Sequence, residues 1–113
     1  MHEIRIAKDL SDIVFDVAKR ENLMKVTKVN ICFGQMIQIV PEIFEFSFKE
    51  IIKDTIANDA GINIEILPVI MICTVCNDKF ELNDIDFFCN RCGSSEIDIL
   101  SGRELFVKSI EGA

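Results

Sequence analysis

The stretch CTVCNDKFELNDIDFFCNRC, residues 73–92, carries four cysteines in two CxxC pairs. The pairs are Cys73–Cys76 and Cys89–Cys92, separated by residues 77–88. A two-residue gap lets a tight turn direct both sulfurs at one ion, and two such turns form a tetrahedral S₄ site. Gly93 follows the second pair and suits the left-handed backbone that completes such a turn. The spacing therefore predicts a tetrathiolate metal site.

The ion predicted for this site is Zn(II), because four thiolates close the coordination sphere and leave no open position for catalysis. Two alternatives stay open. An iron tetrathiolate, as in rubredoxin, would use the same ligands, and a redox-active dithiol would use a single CxxC pair. The fifth cysteine, Cys32, lies in a predicted strand and is interpreted as a buried apolar side chain.

The flanking segments predict an α+β fold. Residues 25–34 are rich in β-branched side chains, residues 62–67 alternate as a strand does, and residues 96–110 are predicted to form one long strand. Pro41 begins a second predicted helix that ends near residue 54. The first predicted helix spans residues 4–21, and its apolar residues recur at three- and four-residue steps: Ile6, Leu10, Ile13, Val14, Val17 and Ala18. We expect two helices packed on a small sheet of about three strands.

The last predicted strand, with a bulge near Gly102, has no core of its own. It is expected to return to the sheet of the first segment, so that the cysteine stretch is an insertion. The resulting domains are an α/β domain of residues 1–68 plus 97–113 and an inserted zinc-ribbon-like domain of residues 69–96.

Composition and charge exclude several classes of partner. The chain has 113 residues and a formal net charge of −7, so it offers no basic face for nucleic acid. Its longest apolar run, residues 66–73, contains Pro68 and is too short to cross a bilayer. No apolar stretch follows the charges at the amino terminus, and we therefore expect a cytoplasmic protein with reduced cysteines.

The single histidine, His2, is the second residue of the sequence. The Met1 α-amine, the His2 backbone nitrogen and the His2 ring nitrogen can close a five-membered and a six-membered chelate ring side by side. Such a fused chelate is nearly flat, and planar nitrogen donors are preferred by Ni(II) and Cu(II).

Taken with the cysteine quartet, this amino terminus resembles that of the HypA/HybF family of hydrogenase-maturation nickel chaperones. Further similarity lies in Val40-Pro41-Glu42, in Gly61, in Cys92-Gly93-Ser94 and in the closing residues 99–105, ILSGREL. The resemblance implies a metallochaperone, not an enzyme, with Met1 and His2 as nickel ligands and Glu3 contributing its backbone nitrogen or support from the second coordination sphere. It implies that the zinc ligands are Cys73, Cys76, Cys89 and Cys92.

The same resemblance implies partners: a HypB-like GTPase, the apo large subunit of [NiFe]-hydrogenase and, in some bacteria, urease accessory proteins. It leaves monomer and homodimer open. Some members complete the nickel sphere with a second histidine, which this chain lacks. The fourth donor would then be the Glu3 backbone nitrogen, a water, a carboxylate or a group of a partner. The alternative function is a zinc-ribbon interaction or regulatory module that does not deliver nickel.

Overall fold

The computed structural model describes residues 2–81, 88–89 and 91–113. These residues form two helices, one 3₁₀ turn and six strands: α1 (His2–Arg20), β1 (Val26–Gly34), the 3₁₀ turn (Gln35–Ile37), α2 (Pro41–Ile52), β2 (Gly61–Leu67), β3 (Ile70–Cys73), β4 (Lys79–Glu81), β5 (Ile97–Ser101) and β6 (Leu105–Gly112). The strands form two three-stranded sheets, ordered β2-β1-β6 and β4-β3-β5. Within the described residues no helix has both the length and the hydropathy needed to cross a membrane.

The chain divides into two compact units. The first unit comprises Met1–Cys32, Ile39–Glu65 and Leu105–Ala113, and the second comprises Phe33–Gln38 and Ile66–Glu104. The first unit contains both helices, and the second contains the cysteine pairs.

In the first unit the two helices contact each other and α1 also contacts β6. Backbone hydrogen bonds run both ways between Lys25 and Ala113, at 3.1 and 2.9 Å, which is the pattern of an antiparallel pair. The helices and the central strand β1 supply the fully buried apolar side chains, among them Ala7, Val14, Ala18, Phe44, Phe48, Ile52, Val29 and Ile31. The α+β fold predicted from the sequence, with two helices and a three-stranded sheet, is confirmed.

The buried face of α1 differs from the predicted one at several positions, among them Ala7, which is fully buried. Ile13 is 45% exposed, whereas Ser11 is fully buried. The Ser11 hydroxyl donates to the Lys8 carbonyl at 2.7 Å, so that its burial leaves no polar atom unpaired. Hydrophobic periodicity alone could not predict that a serine is buried in α1 while an isoleucine is exposed.

In the second unit β3 is the central strand and pairs antiparallel with both β4 and β5. The prediction of one strand over residues 96–110 is therefore wrong. Residues 97–101 pair with β3, and the chain then turns before β6 joins the other sheet. Gly102, at φ +116°, makes this turn, and its N–H donates to the Glu104 carboxylate at 2.7 Å. The expected bulge is instead a complete break between two strands.

Within this unit the backbones of Gly34 and Gly102 lie in direct contact. The Gly34 N–H donates to the Glu104 carbonyl at 2.7 Å, and the Met36 N–H donates to the Gly102 carbonyl at 2.9 Å. A β-carbon on Gly34 would lie 2.0 Å from the carbonyl carbon and oxygen of Gly102. The last residue of β1 can therefore approach this turn only without a side chain.

Candidate metal centre

The two CxxC pairs sit on turns with the same hydrogen-bonding pattern. In the first turn the Asn77 N–H donates to the Cys73 carbonyl at 2.8 Å, and the Cys73 N–H donates to the Asp78 carbonyl at 2.9 Å. The second turn has the same two bonds. The Gly93 N–H donates to the Cys89 carbonyl at 2.8 Å, and the Cys89 N–H donates to the Ser94 carbonyl at 2.8 Å.

One residue after each pair, the backbone enters the left-handed region. Asn77 has φ 61° and Gly93 has φ 75°, and asparagine and glycine are the two residues that adopt this conformation most readily. The role predicted for Gly93 is confirmed, and Asn77 performs the same role in the first turn.

These turns bring all four sulfurs together, as the sequence predicted. The Sγ atoms of the quartet lie within 4.8 Å of one another. The Sγ atoms of Cys73 and Cys92 are 3.5 Å apart, and those of Cys76 and Cys89 are 3.6 Å apart. A tetrahedron with Zn–S bonds of about 2.3 Å has edges of about 3.8 Å, so the sulfur spacing fits a zinc ion. No other cluster of metal-ligating side chains occurs in the described part of the chain.

The first cysteine of each pair is held in an environment that favours its thiolate. Backbone N–H groups, led by that of Cys76, lower the pKa of Cys73. The N–H groups of Cys92 and Arg91 each lie 3.4 Å from the Cys89 sulfur, and these hydrogen bonds lower the pKa of Cys89 to about 7. Because a hydrogen bond to a thiolate stabilises its charge, each turn favours the anionic form of its first cysteine.

The second cysteine of each pair retains its proton more strongly. The Asp78 N–H lowers the pKa of Cys76, but burial and the three neighbouring sulfurs outweigh it and raise the pKa to about 12. The Ser94 N–H acts likewise on Cys92, where a neighbouring sulfur and burial raise the pKa. A divalent cation would replace these protons and neutralise the crowded thiolates. Four thiolates around one position are a donor set that suits zinc.

At the other predicted site, the helix α1 begins at His2 and buries Glu3, which is only 8% exposed. The Glu3 carboxylate accepts a hydrogen bond from the Val40 N–H at 3.1 Å, which ties the start of α1 to the N-cap of α2. This bond, followed by one from the Glu3 N–H itself, lowers the pKa of Glu3 to about 2. Sequence reasoning missed this contact because its partner is 37 positions away. The backbone of Met1 and the side chains of Met1 and His2 lie outside what the structure describes.

The Glu3 carboxylate should stabilise the fold in a pH-dependent way. Because its pKa is lowered on folding, the stabilisation is complete above about pH 4.5 and is lost as the pH falls toward 2. We expect Glu3→Gln to lower the thermal midpoint of the first unit at pH 7 and the difference from wild type to vanish near pH 2. The thermal midpoint is measured from amide NMR signals of α1 and α2, which belong to the first unit, whereas the cysteines that lose zinc in acid belong to the second.

Glu50→Gln is the matched control, because it removes the same charge from an exposed position of α2. A Glu3→Gln midpoint that stays below wild type by a constant amount down to pH 2 would contradict the proposed role of the ionised carboxylate.

Comparison with known proteins agrees with this arrangement. The family model described as "Hydrogenase/urease nickel incorporation, metallochaperone, hypA" matches residues 1–112. The hydrogenase maturation factor HypA of Desulfatibacillum aliphaticivorans is 40% identical over 114 residues, covering 100% of this chain and 88% of that protein. HypA of Desulfosudis oleivorans is 38% identical over 113 residues, covering 98% of this chain and 97% of that protein.

The fold is also similar to a solved one. The solution structure of the Ni metallochaperone HypA from Helicobacter pylori has a TM-score of 0.70 at 23% identity, covering 97% of this chain and 96% of that one. At this identity the similarity concerns the fold alone.

The family match confirms the resemblance drawn from the amino terminus, the quartet and the closing residues. It also confirms that the chain is a metallochaperone and not an enzyme. A maturation role implies handling of nickel and interaction with hydrogenase maturation partners. The chain belongs to the HypA family of hydrogenase and urease nickel-incorporation metallochaperones.

Proposed function

We propose that this chain binds Ni(II) at its amino terminus and delivers it to the apo large subunit of [NiFe]-hydrogenase. The proposed ligands are the Met1 α-amine, the backbone and ring nitrogens of His2, and Glu3. The supporting observation is that α1 begins at His2. The first backbone N–H groups of a helix have no carbonyl four residues earlier to bond, so a nickel ion that displaces their protons breaks no hydrogen bond of the helix.

The fourth donor is the backbone nitrogen of Glu3. Its carboxylate accepts from the Val40 N–H and from the Glu3 N–H, so nickel would have to displace the proton of the second of these bonds to reach the nitrogen. Coordination through this nitrogen completes a square-planar set of four nitrogens, which suits Ni(II). The carboxylate then supports the site from the second coordination sphere and offsets the positive end of the helix.

Zinc and nickel have different roles in this proposal. The first unit carries the nickel, and the second unit holds a structural Zn(II) through Cys73, Cys76, Cys89 and Cys92. A closed thiolate cage does not exchange its ion readily, whereas a chelate at a chain terminus can pass its ion on by stepwise ligand exchange. Nickel is therefore the cargo and zinc a resident ion.

The partners that we propose are a HypB-like GTPase, which acts in the same nickel transfer, and the hydrogenase large subunit as recipient. Urease accessory proteins are a second destination. The reduced thiols that the zinc site needs are maintained in the cytoplasm, where we propose that the transfer takes place.

A nickel titration tests the amino-terminal site. We expect wild-type protein that begins at Met1 to bind about one equivalent of Ni(II), and His2→Ala to bind none at micromolar concentrations, because the fused chelate loses its only imidazole. A Gly-Ser extension before Met1 should have the same effect, because it converts the free amine to an amide. Isothermal titration with metal analysis measures both.

The same Gly-Ser extension after Ala113 is the control, and all four proteins should retain their zinc. Undiminished nickel binding in the protein extended before Met1 would show that the nickel site is elsewhere. Zinc retention without nickel binding in wild type would favour the zinc-ribbon interaction module instead.

A further inference from the structure

Helix α2 exposes a run of apolar side chains on the side that faces away from the core. Val40 is 42% exposed, Ile43 is 49% exposed and Phe46 is 68% exposed. Ile43 and Phe46 are three residues apart and so lie on one side of the helix, and Val40, the N-cap, precedes Ile43 by the same step. The contrast within α2 is sharp, because Phe44 and Phe48 are fully buried. A single exposed apolar residue is ordinary, but a contiguous set indicates an interaction surface.

Acidic residues border this run. Glu42 lies beside it in the first turn of α2, and Glu50 continues the same side one turn beyond Phe46. The only basic side chain of α2, Lys49, pairs with Glu45 at 3.3 Å. The apolar run and its acidic border, defined by Val40, Ile43, Phe46, Glu42 and Glu50, are called the α2 surface below.

The α2 surface begins at the point where the amino terminus is attached to α2. Val40 is the N-cap of α2, and its N–H donates to the Glu3 carboxylate. Ile4, the next residue of α1, is itself 61% exposed. The apolar run therefore starts beside the segment that carries the proposed nickel ligands.

We propose that the α2 surface docks an amphipathic helix of a nickel-exchanging partner, with apolar anchors flanked by Lys or Arg. This inference rests on the proposed function and specifies where the partner binds. An amphipathic helix lays apolar side chains at three- and four-residue steps against an apolar surface, and the exposed Val40, Ile43 and Phe46 provide such a surface.

The acidic border of the α2 surface indicates which kind of partner can bind there. A second copy of this chain would bring the same acidic border and a net charge of −7, and like charges oppose that contact. Nucleic acid and anionic lipid are repelled for the same reason. A partner with a basic border is attracted to the acidic border of the α2 surface. This attraction speeds association and aligns the apolar side chains of the two surfaces.

The test uses the full-length, zinc-loaded protein and two synthetic peptides of 18 residues. Both peptides carry Leu at three- and four-residue steps; one has Lys at the flanking positions and the other has Glu. We expect only the Lys peptide to bind, with NMR shifts confined to residues 40–50 and to the first turn of α1. Phe46→Ser should weaken binding by about tenfold or more, as loss of a central aromatic anchor does.

Ile56→Ser is the matched control, because Ile56 is 41% exposed in the same unit but outside α2. It should leave the peptide affinity unchanged. The double variant Glu42→Gln/Glu50→Gln should weaken binding several-fold in low salt, and the difference should disappear in high salt.

Equal binding of the Glu peptide, shifts centred away from α2, or equal losses in Phe46→Ser and Ile56→Ser would each overturn the proposal. So would self-association, or adsorption to anionic vesicles, that is abolished by Phe46→Ser. Nickel titration of Phe46→Ser distinguishes a failure of the docking proposal from a failure of the proposed nickel site. Wild-type nickel stoichiometry combined with lost peptide binding supports the docking surface, whereas absent nickel binding in every variant refutes the proposed function alone.

Discussion

Replacing Cys73 with serine should remove the zinc ion and unfold the second unit. Cys73 ends the central strand β3, and its sulfur lies 3.5 Å from that of Cys92, so that the substitution damages both the metal site and the strand that organises the sheet. Structural zinc binding contributes about 10 kcal/mol or more to folding at neutral pH. We expect the zinc content to fall from about one equivalent to near zero.

Zinc analysis and amide NMR measure the two effects separately. Signals of β3, β4 and β5 should collapse to unfolded positions, while those of α1 and α2, which belong to the first unit, should persist. Removal of zinc from wild type by a chelator should reproduce the same spectrum, and added zinc should reverse it only in wild type.

Cys32→Ala provides the matched control. Cys32 is also buried, but it lies in β1 and outside the quartet, so that this variant should keep its zinc. A Cys73→Ser protein with a full equivalent of zinc, or with an intact second sheet, would show that the quartet is not the structural centre of this unit. An isolated protein that is red and reducible would identify iron in place of zinc.

The second large effect is expected from Gly34→Ala. The added methyl carbon would lie 2.0 Å from two backbone atoms of Gly102 and 2.5 Å from the backbone nitrogen of Arg103. Backbone cannot rotate away as a side chain can, so the two segments must separate. Their separation breaks the hydrogen bonds from Gly34 to Glu104 and from Met36 to Gly102. We expect a loss of about 3 kcal/mol or more in the free energy of unfolding.

Gly61→Ala is the control for the loss of glycine itself. A β-carbon at Gly61 has as its nearest neighbour the Thr27 carbonyl oxygen, at the comfortable distance of 3.9 Å. Its effect on stability should stay within about 1 kcal/mol. Urea unfolding of the zinc-loaded proteins, followed by far-UV circular dichroism, compares the two variants. Similar midpoints for Gly34→Ala and Gly61→Ala would mean that the contact between Gly34 and Gly102 relaxes at little cost.

Local pattern was sufficient to predict most elements of this chain. The amphipathic period of α1, the proline that begins α2 and the β-branched residues of β1 each specify structure within a few neighbouring residues. The quartet was equally accessible, because the CxxC spacing itself fixes the turn that directs the sulfurs.

Contacts between residues far apart in the sequence could not be predicted from local pattern. A run of alternating residues from 96 to 110 indicates extended backbone but not which strand it pairs with, so that the break at Gly102 and the pairing of β5 with β3 were missed. The contact of Glu3 with Val40 was missed for the same reason. An acidic residue in the first turn of a helix is already explained by the helix dipole, and nothing local indicates a distant amide as its partner.

The order in which the strands are synthesised has a consequence for assembly in the cell. The first sheet has the order β2-β1-β6, so it gains one edge only when β6, the last strand of the chain, has been made. By contrast, β3, β4, β5 and both cysteine pairs lie within residues 66–104 and emerge from the ribosome earlier. Pairing of β1 with β6 closes a loop that contains this whole stretch, and the Thr27 hydroxyl donates across it to the Glu111 carbonyl, 84 positions away. Closing a long flexible loop costs conformational entropy, and the cost falls when part of the loop is already ordered. Zinc bound by the quartet before β6 joins should therefore speed the completion of the first sheet.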